Sequence, residues 1–166
     1  MSRAFINEDQ QTDTTPFVPP RADLPQGAIN YVTPAGMEAL LEEKEELLEE
    51  LKKWNAGEEH GKLNAIKVLH IKLQMLENRI VTANIIPIDR QNKGEVHFGS
   101  TVLLQIGRSS KQRKLQIVGV DEADMKEGKI AFTSPLAKVL MNKKVGERAV
   151  LKLEHGESVF KVLEIE

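Results

Sequence analysis

The stretch AGEEHGKLNAIK, residues 56–67, places two glutamates, Glu58 and Glu59, beside His60 and follows them with Lys62. Carboxylate oxygens and an imidazole nitrogen can hold a divalent cation or exchange protons. The same glutamates would also suit the first turn of a helix, where negative charge is favourable, and Glu58 could pair with Lys62 four residues later. A single histidine without a placed partner ligand is weak support for a metal. A helix start is therefore the simpler interpretation, and a metal site is the alternative.

Two apolar seams flank this stretch and predict a helical hairpin. In each seam the residues recur at alternating steps of three and four, which is the heptad spacing of packed helices. The first seam comprises Met37, Leu40, Lys44, Leu47, Leu51 and Trp54, and the second comprises Ile66, Leu69, Leu73, Leu76, Ile80 and Ala83. Leu41 and Leu48 are expected to widen the first stripe, and Leu63, Val68, Ile71 and Met75 the second. The short connection makes the two arms antiparallel, and about 22–25 residues per arm correspond to roughly 33–37 Å.

Capping residues predict where these helices begin and end. Thr33 is a suitable N-cap, and Pro34 fits the first helical position because its missing N–H costs nothing there. Gly57 is expected to end the first helix in a left-handed conformation, and Pro87 to end the second. A hairpin of this length can project as a probe or associate with a second copy of itself, and the seams alone leave both possibilities open.

The segments outside the hairpin differ in character. Residues 1–30 contain four prolines among polar residues and predict a flexible tail. From Gly94 the apolar period changes to two, and short apolar runs are separated by turns. Ser134 and Pro135 are placed to start a short helix. The predicted fold class is therefore α+β, with a small antiparallel sheet domain carrying one short helix after the hairpin.

Composition limits the class of protein. The 166 residues include 23 Lys and Arg, 25 Asp and Glu, and no cysteine, so disulfides and thiolate metal sites are excluded. No apolar run approaches the roughly 20 residues needed to cross a bilayer, and the sequence fits a cytoplasmic protein without membrane contact. The first arm is acidic and the C-terminal part mildly basic. This asymmetry suggests a charged partner, although solvated faces would explain it equally well.

Two charged stretches in the C-terminal part could bind something. The segment from Arg108 to Lys114 carries four positive charges and no aromatic residue, so it could approach nucleic acid or an acidic protein, or be a solvated loop. Asp121, Glu122 and Asp124 offer carboxylates but too few oxygen ligands for a calcium site, which favours a turn or a docking role.

Four motifs in order resemble those of the Gre-type bacterial transcription elongation factors, the GreA/GreB family. They are YVTPAGMEAL at 31–40, VHFGSTV at 96–102, VGVDEAD at 118–124 and SPLAKVLMNKKVGE at 134–147. The resemblance implies an antiparallel coiled coil over residues 31–86 and an FKBP-like domain over 94–166. It further implies that the second domain docks on the rim of the RNA polymerase secondary channel while the coiled coil reaches toward the catalytic magnesium.

An FKBP-like fold also raises the possibility of prolyl isomerase activity. After residue 90 the aromatic residues are Phe98, Phe132 and Phe160, which suffice for a small core. We expect no enzymatic activity of the protein itself and no cofactor.

The tip departs from the pattern of the cleavage-stimulating members of the family. Those members carry an Asp and a Glu three residues apart, which help to hold a second metal. Here the position of the Asp is Lys62, and no glutamate follows within the next turn. An ammonium group repels Mg²⁺. The arms also look about one heptad shorter each, roughly 10 Å.

These features predict a monomeric factor that binds bacterial RNA polymerase and modulates elongation without stimulating transcript cleavage. DNA and RNA would then be near the protein only within the elongation complex. The alternatives are a cleavage factor that uses Glu58 and Glu59, and a self-associating coiled-coil adaptor. The residues predicted to dock on the polymerase are Asp121, Glu122, Asp124, Ser134, Pro135, Leu136 and Lys138.

Overall fold

The computed structural model describes residues 15–57, 61–88 and 94–166. The helical hairpin consists of α1, Pro34–Ala56, and α2, Lys62–Thr82. Helix α1 starts as predicted, because the Thr33 hydroxyl oxygen accepts a hydrogen bond from the Gly36 N–H at 3.0 Å. The fold class predicted from the sequence is confirmed.

The apolar seams pack against each other along the hairpin. The buried residues of this core are Val32, Leu40, Leu47, Leu69, Leu73 and Leu76, with Met37, Leu51, Trp54, Ile80 and Ala83 packed around them. The polar seam residue Lys44 forms an ion pair with Glu77 at 2.9 Å. Leu41, Leu48 and Leu63 are 43%, 38% and 63% exposed, so the expectation that they widen the apolar stripes is wrong. The other residues expected to widen the second stripe are half-buried, and they are Val68, Ile71 and Met75. Two packed helices bury a narrow strip of each helix.

Helix α1 ends at Ala56 with Gly57 as its C-cap, as predicted, but the conformation of Gly57 and the end of α2 differ from the prediction. Gly57 ends α1 in an extended conformation with φ of −81°, and the left-handed residue of the turn is Gly61, with φ of 85°. Helix α2 ends at Thr82, five residues before Pro87, because the chain enters strand β2, Ala83–Ile85. This strand pairs in parallel with β1, Asn30–Val32. The pairing joins the two ends of the hairpin into a base that local periodicity did not reveal.

The C-terminal domain is a five-stranded sheet in the order β5-β4-β3-β7-β6. Its strands are β3, Thr101–Ile106; β4, Gln112–Val118; β5, Lys129–Ala131; β6, Arg148–Leu153; and β7, Gly156–Ile165. All neighbours are antiparallel except β4 and β5, which are parallel. Since β4 begins at Gln112, Arg113 and Lys114 lie in a strand and not in the turn in which they were expected.

One face of this sheet forms the core of the domain. Side chains from β3, β4 and β7 are buried there, together with Ala137 and Leu140 of the short helix α3, Pro135–Leu140. The Ser134 hydroxyl oxygen accepts a hydrogen bond from the Ala137 N–H at 3.2 Å, which confirms the predicted N-cap. The opposite face of the sheet carries the charged residues of β6 and β7 together with the apolar pair Val150 and Val159. In the described part of the chain, no helix is long and apolar enough to cross a membrane.

Candidate functional site

Lys62 closes the turn at the tip of the hairpin. Its ammonium group donates hydrogen bonds to the carbonyl oxygens of Asn55 at 3.0 Å and Gly57 at 2.8 Å. These carbonyls lie at the C-terminal end of α1, where backbone acceptors lack helical partners and a cation is favourable. Lys62 therefore acts as a cap for α1 from the first position of α2.

The other predicted tip residues, Glu58, Glu59 and His60, lie outside the described residues, so the Glu58–Lys62 pair stays a prediction. Across residues 15–57, 61–88 and 94–166, no group of three His, Asp or Glu side chains is placed to hold a metal ion.

Asp121 occupies a polar junction between the hairpin and the C-terminal domain. It lies in a short 3-10 helix, Val120–Glu122, that follows β4. Its side chain is only 9% exposed, and its two oxygens contact Arg21 Nε at 2.9 Å and Arg79 Nε at 3.2 Å. One carboxylate thus pairs with an arginine of α2 and with an arginine of the N-terminal segment.

Arg21 connects this junction to α1. Its two terminal nitrogens donate to the two oxygens of Glu43 at 2.7 and 2.9 Å, a bidentate arrangement that fixes the guanidinium plane. The hydrogen bonds to Glu43 raise the pKa of Arg21 above its ordinary value against the opposite effect of burial, and Asp121 adds to the rise. Arg79 also donates to the carbonyl oxygen of Ala22. Within the segment predicted as a flexible tail, Arg21 and Ala22 therefore contact both helices and the C-terminal domain.

Glu122 forms the second connection at this junction. Its carboxylate accepts hydrogen bonds from the Thr33 N–H at 3.0 Å, from the Thr33 hydroxyl and from the Gly119 N–H at 3.2 Å. The residue that caps α1 is thereby held by the C-terminal domain. Gly36 is required by this contact, because a Cβ there would lie 2.0 Å from the Glu122 carboxyl carbon. We refer to Arg21, Glu43, Arg79, Asp121 and Glu122 together as the junction.

Aromatic packing strengthens the same connection. The Tyr31 ring lies 5.6 Å from Phe98 and 5.5 Å from Phe132, and the two phenylalanines are 5.7 Å apart. Tyr31 belongs to β1 at the base of the hairpin, whereas both phenylalanines belong to the C-terminal domain. The three rings fill the contact between the two parts of the molecule.

The junction corrects one expectation about the predicted docking residues. Asp121 and Glu122 were expected to form an exposed acidic turn, but their carboxylates are engaged within the chain. Asp124 is exposed, and one of its oxygens accepts a hydrogen bond from the Lys126 N–H at 2.8 Å. Pro135 and Lys138 are exposed on α3, and Leu136 is half-buried. The predicted residues thus separate into an internal pair and an external group.

Arg21, Glu43 and Arg79 were missed by sequence reasoning. Arg21 stands among prolines without any period, and it lies 100 residues from Asp121 in the chain. Arg79 and Glu43 look like ordinary polar positions of an amphipathic helix. No local signal distinguishes them, because their partners come from distant segments.

Comparison with known proteins shows a similarity in the C-terminal domain. Residues 91–166 match the model described as "Transcription elongation factor, GreA/GreB, C-term". The C-terminal domain is therefore similar to that of the GreA and GreB elongation factors. The family model covers the C-terminal domain, so the match is independent of the unusual tip.

Individual relatives extend the similarity. The transcription elongation factor GreA of Syntrophus aciditrophicus is 35% identical over 97 residues, which are 58% of this chain and 60% of that protein. GreB of Neisseria meningitidis is 29% identical over an alignment of 153 positions, which covers 82% of this chain and 93% of that protein. The match to the first relative thus spans about 60% of its length, whereas the match to GreB includes the hairpin.

A solved structure also matches. The GreA factor homolog 1 (Gfh1) of Thermus thermophilus is 26% identical and aligns over 84% of this chain and 99% of its own. The TM-score of 0.39 is too low for a structural argument.

Proposed function

We propose that this protein binds RNA polymerase at the rim of the secondary channel and modulates transcription elongation without stimulating transcript cleavage. The observation that carries the proposal is the position of Lys62. Its ammonium group donates hydrogen bonds to the carbonyl oxygens at the end of α1. The cleavage factors that the sequence resembles carry a metal-binding carboxylate at the position of Lys62. A cation there disfavours a second Mg²⁺.

The length of the hairpin supports the same proposal. Helices of 23 and 21 residues correspond to roughly 32–35 Å at 1.5 Å per residue. Chemistry at a polymerase metal depends on ligand placement, and an error of about 1 Å can cost about a hundredfold in rate. An arm about one heptad too short would leave its tip far from that metal. In this proposal the protein occupies the channel and supplies no catalytic group, no metal and no cofactor.

The proposed docking surface consists of Asp124, Ser134, Pro135, Leu136 and Lys138. The exposed members offer a carboxylate, an ammonium and an apolar ring beside the half-buried Leu136. Such a mixed surface suits a charged helical element of a protein partner. Asp121 and Glu122 contribute indirectly, because they hold the turn before Asp124 and set the direction of the hairpin. A polymerase partner also implies a cytoplasmic location.

The test uses a purified, backtracked elongation complex with magnesium at neutral pH. We expect no shortening of the RNA when this protein is added, and slower shortening by an added cleavage factor because both compete for one channel. Strong cleavage that is lost in the Glu58→Ala/Glu59→Ala variant would overturn the proposal in favour of a cleavage factor.

A binding experiment tests the docking surface separately. Lys138→Glu should weaken polymerase binding at least tenfold, whereas Lys111→Glu in the exposed turn before β4 should change it less than twofold. Equal affinities of the two variants would refute the assigned surface. A stable homo-oligomer that ignores polymerase in sedimentation would instead support the adaptor hypothesis.

A further inference from the structure

A groove on the outer face of the C-terminal sheet carries positive charge without an assigned partner. It has a volume of about 610 Å³. We define the basic groove by its polar lining residues, which are Gln105, Arg108, Arg148, Glu157, Ser158 and Lys161. Its lining includes no residue of α3 or of the turn at Asp124.

The strand register places three of these side chains in one row. Lys161 of β7 lies directly opposite Arg148 of β6 on one side and Gln105 of β3 on the other. Their neighbours Ala149 and Val162 are buried in the core at 1% and 0% exposure. Because side chains alternate between the two faces of a strand, Arg148 and Lys161 project from the opposite, outer face.

The pairing of Arg148 with Lys161 is unfavourable in the isolated protein. Like charges in directly opposed cross-strand positions destabilise a sheet, whereas opposite charges stabilise it. Four residues away on the same two strands, Lys152 lies opposite Glu157, which is the favourable arrangement. The sheet therefore carries a local electrostatic cost at one end of the β6–β7 pair.

Neighbouring carboxylates do not neutralise this charge. In the described parts of the chain, the side chains of Arg108, Arg148 and Lys161 form no ion pair or hydrogen bond, and Glu157 is the single acidic residue in the groove lining. By contrast, Lys114 on the same sheet pairs with Glu166 at 2.7 Å. Three cations thus face a groove with one carboxylate, and a bound anion would remove the repulsion.

The rest of the lining indicates which anion fits. The apolar members are Ile106 and Val159, and no aromatic side chain lines the groove. Binding of a single strand would use aromatic stacking platforms, and a protein partner would use large apolar anchors. Arginines, a lysine and an amide instead match phosphate oxygens. We propose that the basic groove binds the phosphate backbone of a nucleic-acid duplex, without reading its sequence.

The test measures binding of the full chain to a fluorescent 20-base-pair DNA duplex as salt is varied. The affinity should fall with salt, because cation–phosphate contacts release counterions. Arg148→Gln/Lys161→Gln should weaken binding at least tenfold at low salt and reduce the slope of log K against log salt by about two. Its thermal stability should be equal or higher, since the like-charge pair is gone.

A matched variant and two other ligands make the test decisive. Lys52→Gln/Lys53→Gln removes the same charge from exposed positions of α1 and should bind the duplex like the parent. An unchanged affinity or slope in Arg148→Gln/Lys161→Gln would overturn the proposal, as would equal losses in both variants. Preference for oligo-dT would instead assign the groove to single strands, and preference for polyglutamate would assign it to an acidic protein. Either result also overturns the duplex assignment.

Discussion

Removal of the Asp121 carboxylate should loosen the connection between the hairpin and the C-terminal domain. In Asp121→Ala, Arg79 and Arg21 each lose a charge-assisted contact, at 3.2 and 2.9 Å, in a site where the carboxylate is 9% exposed. Hydrogen bonds to charged groups contribute about 1.5–3 kcal/mol each. The side chains of Arg79 and Arg21 are 14% and 19% exposed, so water can partly replace the carboxylate, and Arg21 keeps its bonds to Glu43. The loss of stability should therefore be smaller than the sum of the two hydrogen-bond contributions. We expect destabilisation of about 2–4 kcal/mol.

Thermal and urea unfolding of the variant measure this effect. For a chain of this length, each kcal/mol corresponds to about 2–4 °C, so Tm should fall by about 4–16 °C. Asp124→Ala is the matched control, because Asp124 lies in the same turn but is exposed and accepts one local hydrogen bond. Its Tm should change by less than about 3 °C.

The junction also predicts an order among single variants. Arg79→Ala should lower the free energy of unfolding more than Arg21→Ala. After Arg21→Ala the carboxylate of Glu43 loses its partner, but it is 41% exposed and water can solvate it. A double-mutant cycle should find coupling of Asp121 with both arginines. If Asp121→Ala and Asp124→Ala are equally stable, or if the cycle shows no coupling, the junction does not hold the two parts together.

Three further variants test other contacts. Gly36→Ala should destabilise the protein by about 1–3 kcal/mol in urea unfolding, because the added Cβ would lie 2.0 Å from the carboxyl carbon of Glu122. Gly57→Ala should be nearly neutral, because the nearest atom to its added Cβ would be 3.7 Å away. Equal effects of the two substitutions would contradict this geometry. Lys62→Met should lower stability by about 0.5–1.5 kcal/mol through loss of two hydrogen bonds to carbonyls, and an unchanged midpoint would show that this cap contributes nothing. Leu41→Glu/Leu48→Glu should leave the sedimentation coefficient unchanged, because the protein is predicted to be a monomer in which these exposed leucines contact no second copy. Dissociation of an oligomer by this variant would refute the prediction.

The sequence alone determined the local elements of this protein. A heptad seam depends on side-chain spacing within one helix, so the positions that pack in the hairpin could be predicted individually. The caps at Thr33 and Ser134 follow from one side chain and a neighbouring proline. The C-terminal motifs resemble those of the GreA/GreB factors, and the match over residues 91–166 supports this resemblance. These signals span a few turns of chain, within which periodicity and propensity dominate.

The tertiary structure decided which charged side chains are exposed to solvent and which form ion pairs within the chain. Asp121 looked like an exposed acid, but Arg21 comes from a proline-rich segment 100 residues away and covers it. The parallel pairing of β1 with β2 ended α2 before Pro87, since strand pairing at the hairpin base competed with another helical turn. Likewise, Arg148 meets Lys161 only through strand register. Contacts between distant segments depend on the folded path of the chain, and no local pattern encodes that path.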